Sequence, residues 1–281
     1  MTKIDAEILI VGAGIGGLTL AAICKRLDIT CKVLERTEVL QPIGTGISLA
    51  PNALRVLDQI GVYKELQGTS QKLRKLQIWR NTTQWNSLSL HAFESTYGYP
   101  ILSAERHSFH GLLYEAAGEE NVVLGTKVVD IVDSPGEPVR VIVEGGKEYR
   151  GNLVVGADGI RSAVRRAVLR NLGGCQAIED AAVLGNLFAE NRKTLVEDTE
   201  LNLSTYANIR EPRTKDLSKF SDNFALLHTA RLPYGTGPLI RWLLYTLVPT
   251  WFWINYLGWL YKYQPTIVAL GTPSAHEKNK G

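Results

Sequence analysis

The chain has 281 residues, of which 45% are hydrophobic and 21% are charged. This length accommodates one large domain or two small ones. The formal net charge of +3 is too small to indicate nucleic acid as a partner. Cys24, Cys31 and Cys175 lack the spacing of metal ligands, so we expect reduced thiols and no metal site. The residues up to Glu7 are polar and predict no signal peptide.

The most informative motif lies within residues 7–35, where an apolar strand runs into Gly12-x-Gly14-x-x-Gly17. Gly12 permits a tight turn, Gly14 lets a pyrophosphate approach the backbone, and Gly17 lets the following helix pack close to the sheet. That helix would present free N–H groups to phosphates. A second short strand then ends in Glu35, whose carboxylate can accept hydrogen bonds from ribose hydroxyls. This combination predicts dinucleotide binding, and the acid argues against a glycine-rich turn without a ligand.

A second motif follows an apolar strand at residues 152–155, where the tight turn Gly156-Ala157-Asp158-Gly159 leads into a predicted basic helix from Ile160. Alone, it fits a surface turn with a helix-initiating aspartate equally well. After the first motif, it resembles the Asp-Gly fingerprint of the single-component FAD-dependent aromatic hydroxylases and epoxidases. The resemblance implies FAD as cofactor. It also implies that Asp158 and Gly159 lie near the pyrophosphate and serve the incoming reduced nicotinamide, NAD(P)H.

Two further segments resemble the same family. Residues 42–49 are similar to its Gly-x-Gly-Ile loop, which implies that Gly46 lies beside the flavin ring. Arg106 matches the family's arginine at a helix start, which contacts the cofactor. An arginine there opposes the helix dipole, and a phosphate would explain it, although a solvated charge is the alternative. We interpret His107 and His110 as surface histidines.

A gap in the resemblance occurs near residue 170. Residues 171–184 resemble the family's later helix, which packs under the flavin, but the family places a long segment before it. That segment carries most of the substrate sheet and a Gly-Asp loop, and no Gly-Asp dipeptide occurs in this chain. We therefore interpret the junction at Arg170–Gly173 as an internal deletion. The resemblance covers residues 3–170 and 173–192.

The predicted fold class is α/β, with a Rossmann-like FAD-binding domain that has a parallel sheet and a β-meander. A truncated substrate β-sheet and a C-terminal hydrophobic helical segment complete it. The meander comprises alternating stretches at 122–132 and 139–144 and the strand at 147–150, joined by Gly145-Gly146. The substrate strands lie in 72–90, where they would lack most of their partners. The predicted divisions are an FAD-binding domain at 1–192, a polar connecting region at 193–237 and a membrane-associated segment at 238–281.

The C-terminal stretch from Trp242 to Tyr261 contains 20 residues without a charge, long enough to cross a bilayer as a helix. Its aromatic residues near both ends are typical of membrane interfaces. Pro249 and Asn255 allow a kinked span or an interfacial helix instead, and a buried helix of a soluble domain is the further alternative. We predict membrane association through residues 242–261.

The function predicted from these motifs is that of an FAD-dependent monooxygenase. With NAD(P)H and O₂ it would epoxidise or hydroxylate a small hydrophobic substrate, a prenylated or terpenoid secondary metabolite, as the resemblance to fungal meroterpenoid and indole-diterpene enzymes implies. No catalytic side chain is required, because the cofactor supplies the chemistry. The deletion raises the expectation of an inactive form, and a membrane-attached FAD-binding remnant is one alternative. An NAD-dependent dehydrogenase is another, although no Tyr-x-x-x-Lys motif occurs.

Overall fold

The computed structural model describes residues 3–40, 45–134, 137–159, 174–192, 199–229 and 236–273. Its strands are β1 Ala6–Val11, β2 Cys31–Leu34, β3 Ile47–Leu49, β4 Gln71–Leu73, β5 Lys75–Arg80, β6 Thr83–Ser89, β7 Ile101–Ala104, β8 Val122–Val123, β9 Val128–Val132, β10 Val139–Val143 and β11 Glu148–Gly156. Its α-helices are α1 Ile15–Arg26, α2 Pro51–Gln59, α3 Tyr63–Thr69, α4 His91–Tyr97, α5 Arg106–Ala117, α6 Gly174–Glu190, α7 Thr199–Thr229, α8 Gly237–Leu247 and α9 Thr250–Tyr261.

The main sheet has six strands in the order β8-β2-β1-β11-β10-β9. The first four are parallel, and β10 and β9 continue the sheet antiparallel. Gly145 and Gly146 both have positive φ, at 88° and 80°, in the short turn between β10 and β11, where left-handed backbone favours glycine. The predicted Rossmann-like α/β fold with its β-meander is therefore confirmed.

One predicted strand is wrong in extent. The alternating stretch 122–132 divides into β8 and β9, which lie at opposite edges of the main sheet. Gly125, at φ +63°, turns the backbone between them, and β8 pairs with β2 in parallel. Apolar alternation continues across the turn, so the pattern alone does not reveal the break.

The helices α1, α5 and α6 supply much of the main hydrophobic core. Ile23 of α1, Phe109 of α5 and Ala182 of α6 are all fully buried within it. Burying a side chain as large as that of Ile23 or Phe109 stabilises a fold by about 1.5–3 kcal/mol. The helix that the sequence places after the gap is thus present as α6, packed against α1. The basic helix predicted from Ile160 lies outside the described residues.

The predicted substrate strands form two small sheets. β4 joins β3 and β7 in a three-stranded sheet, and β5 pairs with β6 in a two-stranded hairpin. The expectation that these strands lack partners is wrong for β6, since α8 and α9 cover it. Leu88 packs with Tyr245 and Trp253 in a separate apolar cluster, and the Asn86 side-chain amide donates to the Tyr245 carbonyl at 2.8 Å.

The predicted connecting region at 193–237 contains the 31-residue helix α7. After α9 the chain returns to the main core, where Ile267 is fully buried. Arg55 Nε donates to Thr266 Oγ1 at 2.8 Å, and Asn186 Nδ2 donates to the Thr266 carbonyl at the same distance. The residues after the apolar stretch are therefore fixed to α2 and α6. The predicted domain boundaries themselves stay predictions.

The prediction of a membrane-crossing helix at 242–261 is wrong. The stretch divides into α8 and α9 at Val248–Pro249, and no helix among the described residues combines the length and apolar character needed to span a bilayer. Proline fixes its own φ and disfavours helical backbone in the residue before it. Val248 is accordingly extended, with φ −75° and ψ 125°.

Candidate functional site

The predicted glycine turn lies between β1 and α1. The Gly12 amide donates to the Leu34 carbonyl at 2.9 Å, which joins the turn to the end of β2. Gly12 has φ +106°, and a Cβ there would lie 2.7 Å from the Ala157 carbonyl oxygen. A Cβ on Gly17 would lie only 2.1 Å from the Gly12 carbonyl oxygen. Both positions require glycine for the turn to close and the helix to pack.

Gly14 differs from its two neighbours in the motif. It precedes α1 with ordinary backbone angles, φ −74° and ψ 179°. Among the described residues outside its chain neighbours, a Cβ there would meet the Ala157 carbonyl oxygen alone, at 3.8 Å, which is a normal van der Waals contact. The described part of the protein leaves room for a side chain at Gly14. The space over this residue is therefore available to a ligand at the N-terminus of α1.

Glu35 follows β2 and reaches the same turn. One carboxylate oxygen accepts the Ala13 amide at 2.7 Å, and the other accepts the Thr37 amide at 3.0 Å and the Thr37 hydroxyl at 3.1 Å. The structure thus brings Glu35 to the glycine turn, as the sequence predicted. It also shows a contact that the sequence did not reveal, because the Glu35 carboxylate holds the Ala13 amide in the turn.

The Asp-Gly motif lies beside the glycine turn because β11 runs parallel to β1. Val11 is in register with Gly156, and the Ala157 amide donates to the Val11 carbonyl at 2.7 Å. Ligands of open α/β sheets bind at the carboxyl ends of the strands, and both motifs lie there. Asp158 follows directly, and Gly159 has φ +78°.

Arg106 and Gly46 lie on neighbouring elements. Gly46 precedes β3, and a Cβ there would lie 3.6 Å from the Ala104 carbonyl oxygen. Ala104 ends β7, and Arg106 begins α5 two residues later. Arg106 is exposed, and within the described part of the chain its side chain has no hydrogen bond or ion pair. Residues 42–44 of the predicted flavin loop lie outside the described residues.

His110 was interpreted as a surface histidine, and the structure corrects this. It lies one helical turn after Arg106 and is half-buried, with Nε2 at 2.6 Å from the Ala13 carbonyl oxygen. His107, on the same helix, is exposed. Sequence reasoning missed the contact because it joins residues 97 positions apart.

A buried polar network, also missed from the sequence, joins α2, α6 and α7. Arg210 Nη1 donates to Glu179 Oε2 at 2.9 Å, and Arg210 Nε donates to Asp180 Oδ1 at 2.6 Å. Asn52 Nδ2 donates to the other oxygen of Glu179, whose side chain is fully buried. Burial raises the pKa of the Asp180 carboxyl, and the Arg210 guanidinium opposes that increase. The network ties α7 to the two helices next to the predicted flavin loop.

Comparison with known proteins agrees with this geometry. The FAD binding domain family model matches residues 5–218. The FAD-dependent monooxygenase pynG of Aspergillus niger is 31% identical over 423 aligned positions, covering 94% of this chain and 97% of the relative. The FAD-dependent monooxygenase pytG of Aspergillus terreus is 45% identical over 172 residues, covering 60% of this chain and 52% of the relative. The chain thus spans about half the length of pytG.

The alignment with pynG is longer than the chain, at 423 positions against 281 residues. The relative must therefore carry residues that this chain lacks, in agreement with the predicted internal gap. Among solved structures, a single-residue variant of Klebsiella pneumoniae HpxO complexed with FAD aligns with a TM-score of 0.81 over 93% of this chain and 100% of that chain. At 17% identity this likeness establishes the fold alone. The chain belongs to the FAD binding domain family and is of the FAD-dependent monooxygenase type.

The described residues fit FAD as the cofactor. Gly14 leaves space at the N-terminus of α1, and Arg106 provides a positive charge on the neighbouring helix α5. Glu35 offers a carboxylate at the end of β2, where a ribose binds in folds of this kind. The individual contacts of these residues, and of Gly12, Gly17, Gly46, Asp158 and Gly159, with FAD stay predictions.

Proposed function

We propose that this chain, with FAD bound, uses NAD(P)H and O₂ to epoxidise or hydroxylate a small hydrophobic substrate, a prenylated or terpenoid secondary metabolite. The main support is that both predicted FAD motifs meet at the carboxyl ends of β1 and β11. The names of the relatives pynG and pytG, both FAD-dependent monooxygenases, support the reaction type. The choice of substrate class rests on the family resemblance and on the apolar C-terminal helices.

In this proposal the protein binds and orients the cofactor and excludes water, while FAD supplies the redox chemistry. The amides at the start of α1 would hold the pyrophosphate above Gly14. Arg106 would neutralise phosphate charge, and Glu35 would accept hydrogen bonds from the ribose. Asp158 would serve the nicotinamide co-substrate. No side chain of this site is assigned proton transfer or nucleophilic attack.

We propose that the gap near residue 170 lowers the efficiency with which this chain couples NADPH oxidation to oxygenation of the substrate. Oxygen activated at a flavin must be shielded from water, or it is lost as hydrogen peroxide. In relatives the missing segment would provide that shield. We therefore propose weak coupling, in which most of the electrons that NADPH supplies reduce O₂ to hydrogen peroxide and few lead to oxygenated product.

The test uses the full chain loaded with FAD. Geranylgeraniol, an alcohol with several prenyl alkenes, serves as the probe substrate. NADPH consumption, hydrogen peroxide and epoxide are measured together. A matched chimera carries the corresponding segment of pynG between residues 170 and 173. We expect NADPH oxidation in both proteins and a larger epoxide fraction in the chimera. A purified chain that lacks flavin absorbance and oxidises no NADPH overturns the monooxygenase proposal, and full coupling in the unmodified chain overturns the role given to the gap.

Neither alternative function is favoured by the comparisons. An NAD-dependent dehydrogenase would purify without flavin colour and would reduce NAD⁺ with an alcohol substrate. A remnant without turnover would bind FAD and never consume NADPH. The same three measurements separate both from a monooxygenase.

For localisation, we propose that the face formed by α8 and α9 rests on a membrane surface without crossing it. Leu247 and Trp251 are 68% and 64% exposed at the junction of the two helices, and Trp242 and Phe252 are also exposed. Residues 236–273 contain Arg241 and Lys262 and no acidic residue. A short apolar face rich in tryptophan, with basic and no acidic residues, suits an anionic lipid surface.

Vesicle flotation tests this localisation. The chain is mixed with vesicles containing phosphatidylserine, and Trp251→Glu is compared with Leu201→Glu, which changes a similarly exposed apolar residue on α7. We expect the parent and Leu201→Glu to float even at high salt, because apolar burial is not screened by ions. Trp251→Glu should stay in solution. A parent that never floats, or that instead forms a dimer abolished by Trp251→Glu, overturns the proposal.

A further inference from the structure

We infer that His110 is a positioning residue for the cofactor, acting by holding the Ala13 peptide in the glycine turn. This inference rests on FAD binding by the chain and concerns how the turn is prepared for it. His110 Nε2 lies 2.6 Å from the Ala13 carbonyl oxygen. A carbonyl oxygen only accepts hydrogen bonds, so Nε2 carries the proton and donates.

The amide of Ala13 is held as well, by the carboxylate of Glu35. Its amide donates to Glu35 Oε2 at 2.7 Å. Side chains from two separate elements, α5 and the end of β2, therefore fix the one residue that separates Gly12 from Gly14. Both side chains are only partly accessible to water, so water competes less with these bonds than it would on an open surface.

The consequence for the ligand follows from peptide geometry. The Ala13 carbonyl and the Gly14 amide belong to one planar trans peptide, in which C=O and N–H point in opposite directions. By holding the carbonyl toward α5, His110 turns the Gly14 N–H away from that helix. Gly14 is also the position where the protein leaves room for a ligand. His110 thus fixes the orientation of the Gly14 N–H, which the inference makes a donor to the pyrophosphate, and His110 acts without contacting the cofactor itself.

A solvated histidine on a helix surface would not orient the Ala13 peptide. His107 is such a histidine on the same helix and serves as the comparison. It is exposed and lies three residues earlier. His107→Phe is therefore the matched control for His110→Phe. His110→Gln is the conservative variant, because a glutamine amide can place a donor N–H at a similar reach.

The experiment measures FAD affinity by flavin fluorescence and thermal unfolding of each protein with and without FAD. We expect His110→Phe to bind FAD about tenfold more weakly, because the Gly14 N–H is no longer held in place and its hydrogen bond to FAD is lost. His110→Gln should recover most of the affinity, and His107→Phe should match the parent. The apo protein of His110→Phe should lose only the small stability of one hydrogen bond, and the apo proteins of His110→Gln and His107→Phe should match the parent. The main difference should therefore appear in the FAD-induced increase in Tm.

The outcomes separate this inference from the proposed function. If the parent binds FAD and His110→Phe binds it equally well, the inference is wrong and the proposed function stands. Equal loss in His110→Phe and His110→Gln, with a lower Tm of both apo proteins, would mean that the ring only packs, and also overturns the inference. A parent that binds no FAD overturns the proposed function.

Discussion

Replacing Gly14 by alanine should separate ligand binding from folding at the glycine turn. Within the part of the chain that the structure describes, and apart from its chain neighbours, the new Cβ would have a single neighbour within 4 Å, the Ala157 carbonyl oxygen at 3.8 Å. Losing glycine before a helix costs up to about 1 kcal/mol, and the stiffer unfolded chain returns about 0.4–1 kcal/mol, since φ is already −74°. We therefore expect almost unchanged stability of the apo protein.

FAD binding should respond very differently to the same change. The Cβ would lie where the pyrophosphate approaches the start of α1, and would separate it from two backbone N–H donors. Hydrogen bonds to a charged group contribute about 1.5–3 kcal/mol each. Losing both weakens binding by about 100- to 10,000-fold. Gly14→Val, with a branched side chain, should bind no measurable FAD.

The assay combines urea unfolding of the apo protein with fluorescence titration of FAD. Gly17→Ala is the contrasting variant, because its Cβ would lie 2.1 Å from the Gly12 carbonyl oxygen, and this variant should be destabilised before any ligand is added. Stoichiometric FAD in Gly14→Ala, at the parent's affinity, would refute the assignment of the pyrophosphate site. A large loss of apo stability in Gly14→Ala would refute the steric reasoning.

Three further predictions concern side chains around this framework. Glu35→Ala should weaken FAD binding at least tenfold in the same titration, because it loses both the proposed ribose acceptor and the Ala13 contact; unchanged affinity would contradict this. Burial raises the Glu7 pKa, but hydrogen bonds, above all from Arg192, outweigh it and leave it below 4.5. The stability advantage of the parent over Glu7→Gln should hold above pH 4.5 and disappear as the pH falls further, measured by urea unfolding. Arg210→Ala should lower the free energy of unfolding by up to about 3–5 kcal/mol, because it removes the nearer cation from the buried Glu179 carboxylate, which would then rely on Arg213 at 3.4 Å. Lys215→Ala, at an exposed pair, should cost under about 1 kcal/mol.

The local sequence was sufficient wherever a short segment carries its own geometry. Gly12 and Gly17 predict the turn and the helix approach because glycine alone tolerates those contacts. The pair Gly145-Gly146 predicts the hairpin because both residues need positive φ. Glu35 could be placed at the turn because it ends the strand next to β1, and adjacent parallel strands end at one edge of a sheet.

The apolar C-terminal stretch is the segment for which composition gave a wrong prediction, that of a membrane-crossing helix. Its 20 uncharged residues are compatible with a bilayer, a core or an interface, and hydropathy does not distinguish among them. Pro249 divided the helix, and contacts with Leu88 and Asn86 of β6 gave one face a protein partner. Residues about 160 positions earlier in the chain therefore determined what this segment became.

What the sequence by itself determined was the fold class and the group of residues at the turn, because both depend on spacing along one βαβ unit. The family was inferred from the resemblance of the Asp158 motif, the Gly46 loop and Arg106 to known enzymes. Tertiary structure alone decided the partners of His110 and Arg210. His110 meets Ala13 only because α5 packs beside the turn, and Arg210 meets Glu179 only because α7 returns across α6. Such contacts depend on how distant elements pack, and no local periodicity encodes that arrangement.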